Sequence, residues 1–173
     1  MSFTLPSVIL KICQIVALAA GLGCVGYFTK VFVDIYDDAK SEAYKRGALG
    51  RQEFFLHTTG VGVVISIVGL VLNFSGLMNK KHNAVAMAAV QGVWAIQLLV
   101  TTCLITVVFS SYNKDEDLLL AGKSLCEVWD DAAIWKNDNT CGQMIGGIVS
   151  GFIATILYGV DAIFTFATST EQS

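Results

Sequence analysis

Four long apolar stretches make up most of this chain, and they restrict its fold more than any other feature of the sequence. Each is long enough to cross the hydrocarbon core of a bilayer, which takes an α-helix of about 20 residues. Charged residues are 14% of the chain, compared with about 25% in soluble domains. We therefore predict an all-α membrane protein with a single domain, an antiparallel four-helix transmembrane bundle. The predicted helices lie at about 7–28, 58–78, 84–111 and 142–166.

Two large charged loops and one short basic link connect the predicted helices. The loops are residues 29–57 and 112–141, and the link is Asn79–Asn83. Because the link is so short, helices two and three should form an antiparallel hairpin. A count of Lys and Arg alone would place the large loops in the cytoplasm. The purely basic link and the cysteines of the second loop favour the opposite orientation, with both termini in the cytoplasm and two extracellular loops.

The second loop contains Cys126 and ends at Cys141, whereas the other cysteines of the chain lie in apolar stretches. On the oxidising side of a membrane, Cys126 and Cys141 would form a disulfide bond that contributes about 3 kcal/mol for a loop of this length. Two cysteines without a nearby histidine do not make a zinc site. We therefore predict a disulfide and neither a metal site nor another cofactor, although the carboxylates of the loop could bind calcium weakly.

Asp161 is the one acidic residue inside the apolar stretches. An unpaired carboxylate at the centre of a membrane helix costs about 2.5–3.5 kcal/mol. Because the number of spans is even, helix four ends on the side where helix one starts, which brings Lys11 to about the depth of Asp161. We predict that Asp161 faces the bundle and pairs with Lys11, directly or through water. Tyr158 and Gln14 are the next candidate donors.

Small and polar residues mark the helix faces that are expected to pack together. Glycines at helical spacing in helices two and four allow two backbones to approach closely. These positions are Gly62, Gly69, Gly76, Gly147, Gly151 and Gly159. Helix three carries Gln91, Gln97, Thr101 and Thr102, which can form interhelical hydrogen bonds worth about 0.6 kcal/mol each on average. A polar pore lining is the alternative interpretation of these four residues.

The segments Leu5–Ile15 and Gly151–Ala162, the four-span layout and the cysteine-bearing second loop resemble MARVEL-type tetraspan proteins. The most specific part is the small-residue fourth helix, in which Asp161 follows Leu157-Tyr158. Within that group, the short length and short tails are most similar to the invertebrate snakeskin-type proteins of smooth septate junctions. Claudins and tetraspanins match less well, because the first loop has no cysteine and the second has no Cys-Cys-Gly. The resemblance implies a plasma-membrane protein of cell junctions, of membrane apposition or of vesicle traffic.

No pattern of residues indicates an enzyme. His57 and His82 lie at opposite ends of the second helix, and no Ser-His-Asp, metal or phosphate-loop spacing occurs. No basic block indicates a nucleic-acid partner. We predict a structural protein that organises junctions or apposed membranes, with lipids and other junctional membrane proteins as partners. The alternatives are a small proton or ion conductor that uses Asp161, and a vesicle-trafficking protein.

Opposite charges on the two large loops could join copies of the chain into a homo-oligomer or a lateral array. The basic residues are Lys45, Arg46 and Arg51, and the acidic residues are Asp115, Glu116, Asp130 and Asp131. An exposed ion pair is worth only about 0–1 kcal/mol, so many pairs would have to act together. Solvated loop faces that bind nothing are the alternative.

Overall fold

The structure of the chain, a computed structural model, describes residues 4–35, 47–114 and 140–171. Within these ranges the chain forms four α-helices and one 3₁₀ turn. The helices are α1 (Thr4–Ile35), α2 (Ala48–Phe74), α3 (Lys81–Lys114) and α4 (Thr140–Glu171), and the 3₁₀ turn is Leu77–Asn79. Each helix contains a stretch that is long and apolar enough to cross a membrane. The prediction of an all-α, four-helix transmembrane fold is confirmed.

The four helices are arranged so that each packs mainly against two others. Helix α1 packs against α2 and α4, and α3 packs against the same two helices. The 3₁₀ turn lies between α2 and α3 along the chain, and the chain direction reverses there. Consecutive helices are antiparallel, and α1 lies diagonally opposite α3. Side chains from all four helices therefore meet along one central axis.

The surface of the bundle is apolar and much of its interior is polar, which is the reverse of a soluble protein. Val93, Ile96 and Ile163 are between 65% and 73% exposed, and such residues recur along the outward face of every helix. Lys11 and Asp161 are at most 1% exposed. In a membrane the outward residues face lipid, so the buried polar residues must satisfy one another inside the bundle.

Apolar side chains fill the bundle at the end where α1 finishes and α2 begins. This end cluster contains Val25, Phe28, Phe55, Ile105, Val108, Cys141, Met144 and Ile148. A middle cluster follows and contains Leu18, Leu98, Ala154 and Tyr158. The buried ion pair of Lys11 and Asp161 lies beyond the middle cluster, toward the start of α1. Uncharged polar side chains are buried along the rest of the axis, among them Gln52, Thr102 and Ser150.

Helix α2 is longer than the sequence analysis predicted. It begins at Ala48, whereas the predicted start was near Thr58. Leu49, Gln52 and Phe55 recur every third residue and are buried, so this extension packs against the other helices. The predicted extent of the first loop was wrong, because charged residues on the exposed side of the extension hid its helical pattern. The other helices also extend beyond their predicted ends.

Four of the six glycines predicted to pack between helices are buried, namely Gly62, Gly69, Gly147 and Gly151. The prediction was wrong for Gly76, which lies beyond the end of α2. It is exposed and has a positive φ of 69°, so it serves the turn, where glycine avoids the strain of a side chain. It was also wrong for Gly159, because a Cβ atom there would meet nothing within 4 Å.

Candidate functional site

The buried carboxylate of Asp161 on α4 is the point at which three helices meet. Its Oδ2 atom lies 2.8 Å from Nζ of Lys11 on α1. The same oxygen accepts hydrogen bonds of 3.0 Å from Nε2 of Gln14 on α1 and of 3.0 Å from Nε2 of Gln91 on α3. All four side chains are buried. One cation and two neutral donors therefore surround the negative charge.

The remaining helix, α2, joins this arrangement through Ser66. The Ser66 hydroxyl lies 3.1 Å from Oε1 of Gln14 and 2.7 Å from the hydroxyl of Tyr158, and it can donate its single proton to one of them at a time. The Tyr158 hydroxyl donates to the carbonyl oxygen of Gly62. Polar contacts thus connect all four helices. We call Lys11, Gln14, Ser66, Gln91, Tyr158 and Asp161 the Asp161 cluster.

Helical spacing explains how the sequence brings these groups together. Lys11 and Gln14 are three residues apart on α1, and Tyr158 and Asp161 are three apart on α4. Residues three or four apart lie on the same face of a helix. Each helix therefore presents two polar groups to the same part of the interior, and the packing of α1 against α4 sets them opposite each other.

Gly69 on α2 provides the space that the Lys11 side chain occupies. A Cβ atom at Gly69 would lie 2.7 Å from Cε and 2.9 Å from Nζ of Lys11. It would also lie 2.6 Å from Cε of Met87. The ammonium group therefore fits beside the bare backbone of α2, and any larger residue at this position would displace it.

The contacts of the Asp161 cluster offset the large cost of burying charge. A buried ion pair is stable only when further hydrogen bonds satisfy its groups, and here Gln14 and Gln91 supply two of them. Within the described residues, Oδ1 of Asp161 and Oε1 of Gln91 have no hydrogen-bond partner, and Nζ of Lys11 meets Oδ2 as an ion pair without hydrogen-bond geometry. All the donors thus converge on a single carboxylate oxygen. Such an arrangement holds the four helices together, and removal of one charge would leave the other uncompensated.

The end cluster blocks the bundle axis on the far side of the Asp161 cluster. Phe28, Phe55, Ile105 and Met144 are each at most 1% exposed and come from four different helices. Apolar side chains of this size offer no hydrogen bonds to a chain of water molecules. Large apolar side chains therefore dominate this end of the described interior, although Thr29 and Gln52 form a buried hydrogen bond there.

One known protein family matches most of this chain. The family model described as MARVEL, membrane-associating domain, matches residues 2–164. The chain belongs to the MARVEL family. No curated protein and no solved structure matches the chain. The matched range of this MARVEL protein contains every residue of the Asp161 cluster.

The structure of the MARVEL protein places Gln91 and Gln97, which were predicted to have the same role, in different surroundings. Gln91 belongs to the Asp161 cluster, whereas Gln97 is only half-buried and lies outside it. Six residues rotate an α-helix by about 600°, so the two glutamines lie on different faces of α3. Ser66 was not predicted from the sequence, although it lies four residues after Gly62 and hence on the same face of α2.

Most of the predicted assembly residues lie outside the described residues. Arg51 lies in the first turn of α2 and is half-buried. The other six predicted residues lie outside the described ranges, namely Lys45, Arg46, Asp115, Glu116, Asp130 and Asp131. Their proposed pairing between copies stays a prediction.

The predicted Cys126–Cys141 disulfide also stays a prediction, because Cys126 lies outside the described residues. Cys141 is 6% exposed and belongs to the end cluster. Cys13, Cys24 and Cys103 are free thiols.

We expect the denatured protein to take up alkylating reagent on these three cysteines without a reductant, and on Cys126 and Cys141 only after reduction. Mass spectrometry of tryptic peptides would measure this, and alkylation of all five cysteines before reduction would contradict it.

Removal of the Tyr158 hydroxyl should weaken the link between α2 and α4. We expect Tyr158→Phe to lower the free energy of unfolding by about 1 kcal/mol, because a net hydrogen bond is worth about that much. Unfolding by denaturant in detergent micelles would measure the change. Ser66→Ala combined with Tyr158→Phe should cost less than the sum of the two single changes, since both remove the same contact. Strictly additive costs would show that the two hydroxyls act independently.

Proposed function

We propose that this MARVEL protein is a structural organiser of cell–cell junctions or apposed membranes, with a role like that of the snakeskin-type proteins of smooth septate junctions. The observation that supports this proposal best is the Asp161 cluster. Its buried carboxylate is already paired with Lys11 and is linked to all four helices. In this role the buried charges hold the helices together, and the bundle is a rigid support for its loops. No chemical reaction is part of the proposal.

The distribution of polar groups favours this role over proton or ion conduction. A conductor needs titratable or hydrated groups along the whole depth of the membrane. The described helices have Asp161 and Lys11 as a buried ion pair near one end, and the end cluster fills the other end with large apolar side chains. Beyond the ion pair, the buried polar residues of the described helices are uncharged hydroxyl and amide side chains such as Thr102 and Gln52, which do not titrate near neutral pH.

The proposed orientation places both termini in the cytoplasm and the two large loops outside the cell. The loops would then carry the contacts between copies of the chain, with other junctional membrane proteins as further partners. The apolar outward face of the bundle keeps the protein in the lipid bilayer. Assembly would therefore be lateral, within the plane of one membrane, and the loops would face the neighbouring cell.

Immunogold labelling of native tissue at electron-microscope resolution tests the proposed function. We expect the label to concentrate at zones where two plasma membranes lie parallel and close together. Label confined to intracellular vesicles would support the trafficking role instead, and label spread evenly over the plasma membrane would contradict a role in organising contacts.

Reversal of the basic loop charges should disperse the protein from cell contacts. We expect the triple change Lys45→Glu, Arg46→Glu and Arg51→Glu to lower enrichment at contacts several-fold, because many weak ion pairs act together in an array. Confocal imaging of cells that express tagged protein would measure the enrichment. A coexpressed copy with Asp130→Lys and Asp131→Lys should restore part of it.

The matched control for this experiment is Lys30→Glu, since Lys30 is exposed near the same end of the bundle and is not among the proposed assembly residues. Equal loss of enrichment for the control and the triple variant would show a general effect of charge. Unchanged enrichment for the triple variant would rule out an array held by these residues.

A further inference from the structure

An open apolar groove runs between α3 and α4 on the lipid-facing side of the bundle. Its volume is about 390 Å³. It is lined by Val85, Ala88, Ala89, Ala162, Ile163 and Phe166. The three alanines leave its floor empty of large side chains, while Ile163 and Phe166 are 73% and 54% exposed and stand at its edge. The groove is therefore a concave apolar site that faces the hydrocarbon of the membrane.

The groove starts one helical turn below a basic segment. Lys80, Lys81 and His82 are exposed at the start of α3. Val85 and Ala89 follow Lys81 by four and eight residues, so they lie on the same side of α3, at distances of about 6 and 12 Å along the axis. Glu171 at the end of α4 is the acidic residue closest in depth among the described helices. The positive charges at the mouth of the groove thus outnumber the negative one.

From this juxtaposition we propose that the groove binds one acyl chain of an anionic phospholipid, whose phosphate lies at Lys80 and Lys81. The apolar floor matches a hydrocarbon chain, and the lysines match a negative headgroup at the level of the membrane surface. The groove reaches about 12 Å into the bilayer from the lysines, which is within one leaflet of a hydrocarbon core about 30 Å thick.

The same charges disfavour a second copy of the chain as the occupant. Two copies in one membrane that met symmetrically through this face would bring their basic segments to the same depth and close together. Like charges placed opposite each other oppose association. An anionic lipid instead neutralises the lysines while its chain fills the groove.

Native mass spectrometry of the purified full-length protein, with added phosphatidylserine or phosphatidylcholine, tests this site. We expect one phosphatidylserine to be retained about tenfold more than phosphatidylcholine, since each lysine near the headgroup adds to the preference. Ala89→Phe fills the groove from an exposed position and should abolish retention of both lipids. Lys80→Gln with Lys81→Gln should remove the preference and leave weak binding of either lipid.

Val93→Phe is the matched control, because Val93 is 65% exposed on the same helix and does not line the groove. It should retain phosphatidylserine as the wild type does. Equal retention of the two lipids by the wild type, or full retention by Ala89→Phe, would overturn the proposal. So would efficient cross-linking of an Ile163→Cys variant to a second copy in membranes, because the groove would then lie in a dimer interface.

Discussion

Lys11→Met is expected to lower the free energy of unfolding by about 3–5 kcal/mol, the cost of leaving a buried charge without its partner. The change removes the cation that lies 2.8 Å from Asp161 Oδ2 and retains the length and apolar stem of the side chain. The short side chain of Asp161, ten residues before the end of α4, cannot reach the membrane surface. Much less protein should therefore arrive at the plasma membrane, as surface biotinylation would show.

Asp161→Asn should have a smaller effect than Lys11→Met. The amide that replaces the carboxylate can still accept hydrogen bonds from Gln14 and Gln91, and the long side chain of Lys11 can extend toward the headgroups. Lys30→Met is the matched control, because Lys30 is exposed on the same helix, and it should change surface delivery little. Normal stability and delivery of Lys11→Met would show that the ion pair contributes nothing to folding.

Gly147→Ala should destabilise the bundle by about 1–3 kcal/mol, which is typical of overpacking in a well-packed core. A Cβ atom at Gly147 would overlap Cγ2 of Val25 on α1. Val25 is fully buried in the end cluster, so it has no free space into which to move. The contact between α1 and α4 would have to open, and unfolding in detergent micelles would measure the cost.

Gly159→Ala provides the comparison on the same helix. A Cβ atom at Gly159 would meet nothing within 4 Å, and alanine favours a helix over glycine by about 0.8–1 kcal/mol. This variant should therefore be as stable as the wild type or slightly more stable. If both alanine variants lost the same stability, close packing at Gly147 would not be the cause.

The sequence was sufficient to predict the number of helices and the meeting of Lys11 with Asp161. The long apolar stretches define the spans, and an even number of spans places the start of α1 beside the end of α4. An isolated acid in an apolar helix needs a cation, and Lys11 was the candidate at the right depth. These inferences rest on the thickness of the membrane and on the cost of buried charge, which do not depend on how side chains pack.

Contacts that depend on how side chains pack could not be predicted from the sequence. Ser66 is one hydroxyl among many in apolar stretches, and its contact with Tyr158 joins helices that lie diagonally opposite each other. Gly76 continues the seven-residue spacing of Gly62 and Gly69, but α2 ends before it. Spacing along a sequence indicates a shared face only while the helix continues, and the point at which a helix ends depends on its neighbours.

Lys11 and Asp161 should matter only for folding, so a variant in which neither side chain is charged should still concentrate at cell–cell contacts. The measurement is the enrichment at cell–cell contacts of the double variant Lys11→Met with Asp161→Asn, compared with both single variants and the wild type. The double variant contains no uncompensated charge, so it should lose much less stability than Lys11→Met, in which one buried charge remains without its partner. We expect enrichment close to that of the wild type and above that of Lys11→Met. A double variant that reached the plasma membrane normally but did not concentrate at contacts would show that the charges have a role beyond folding.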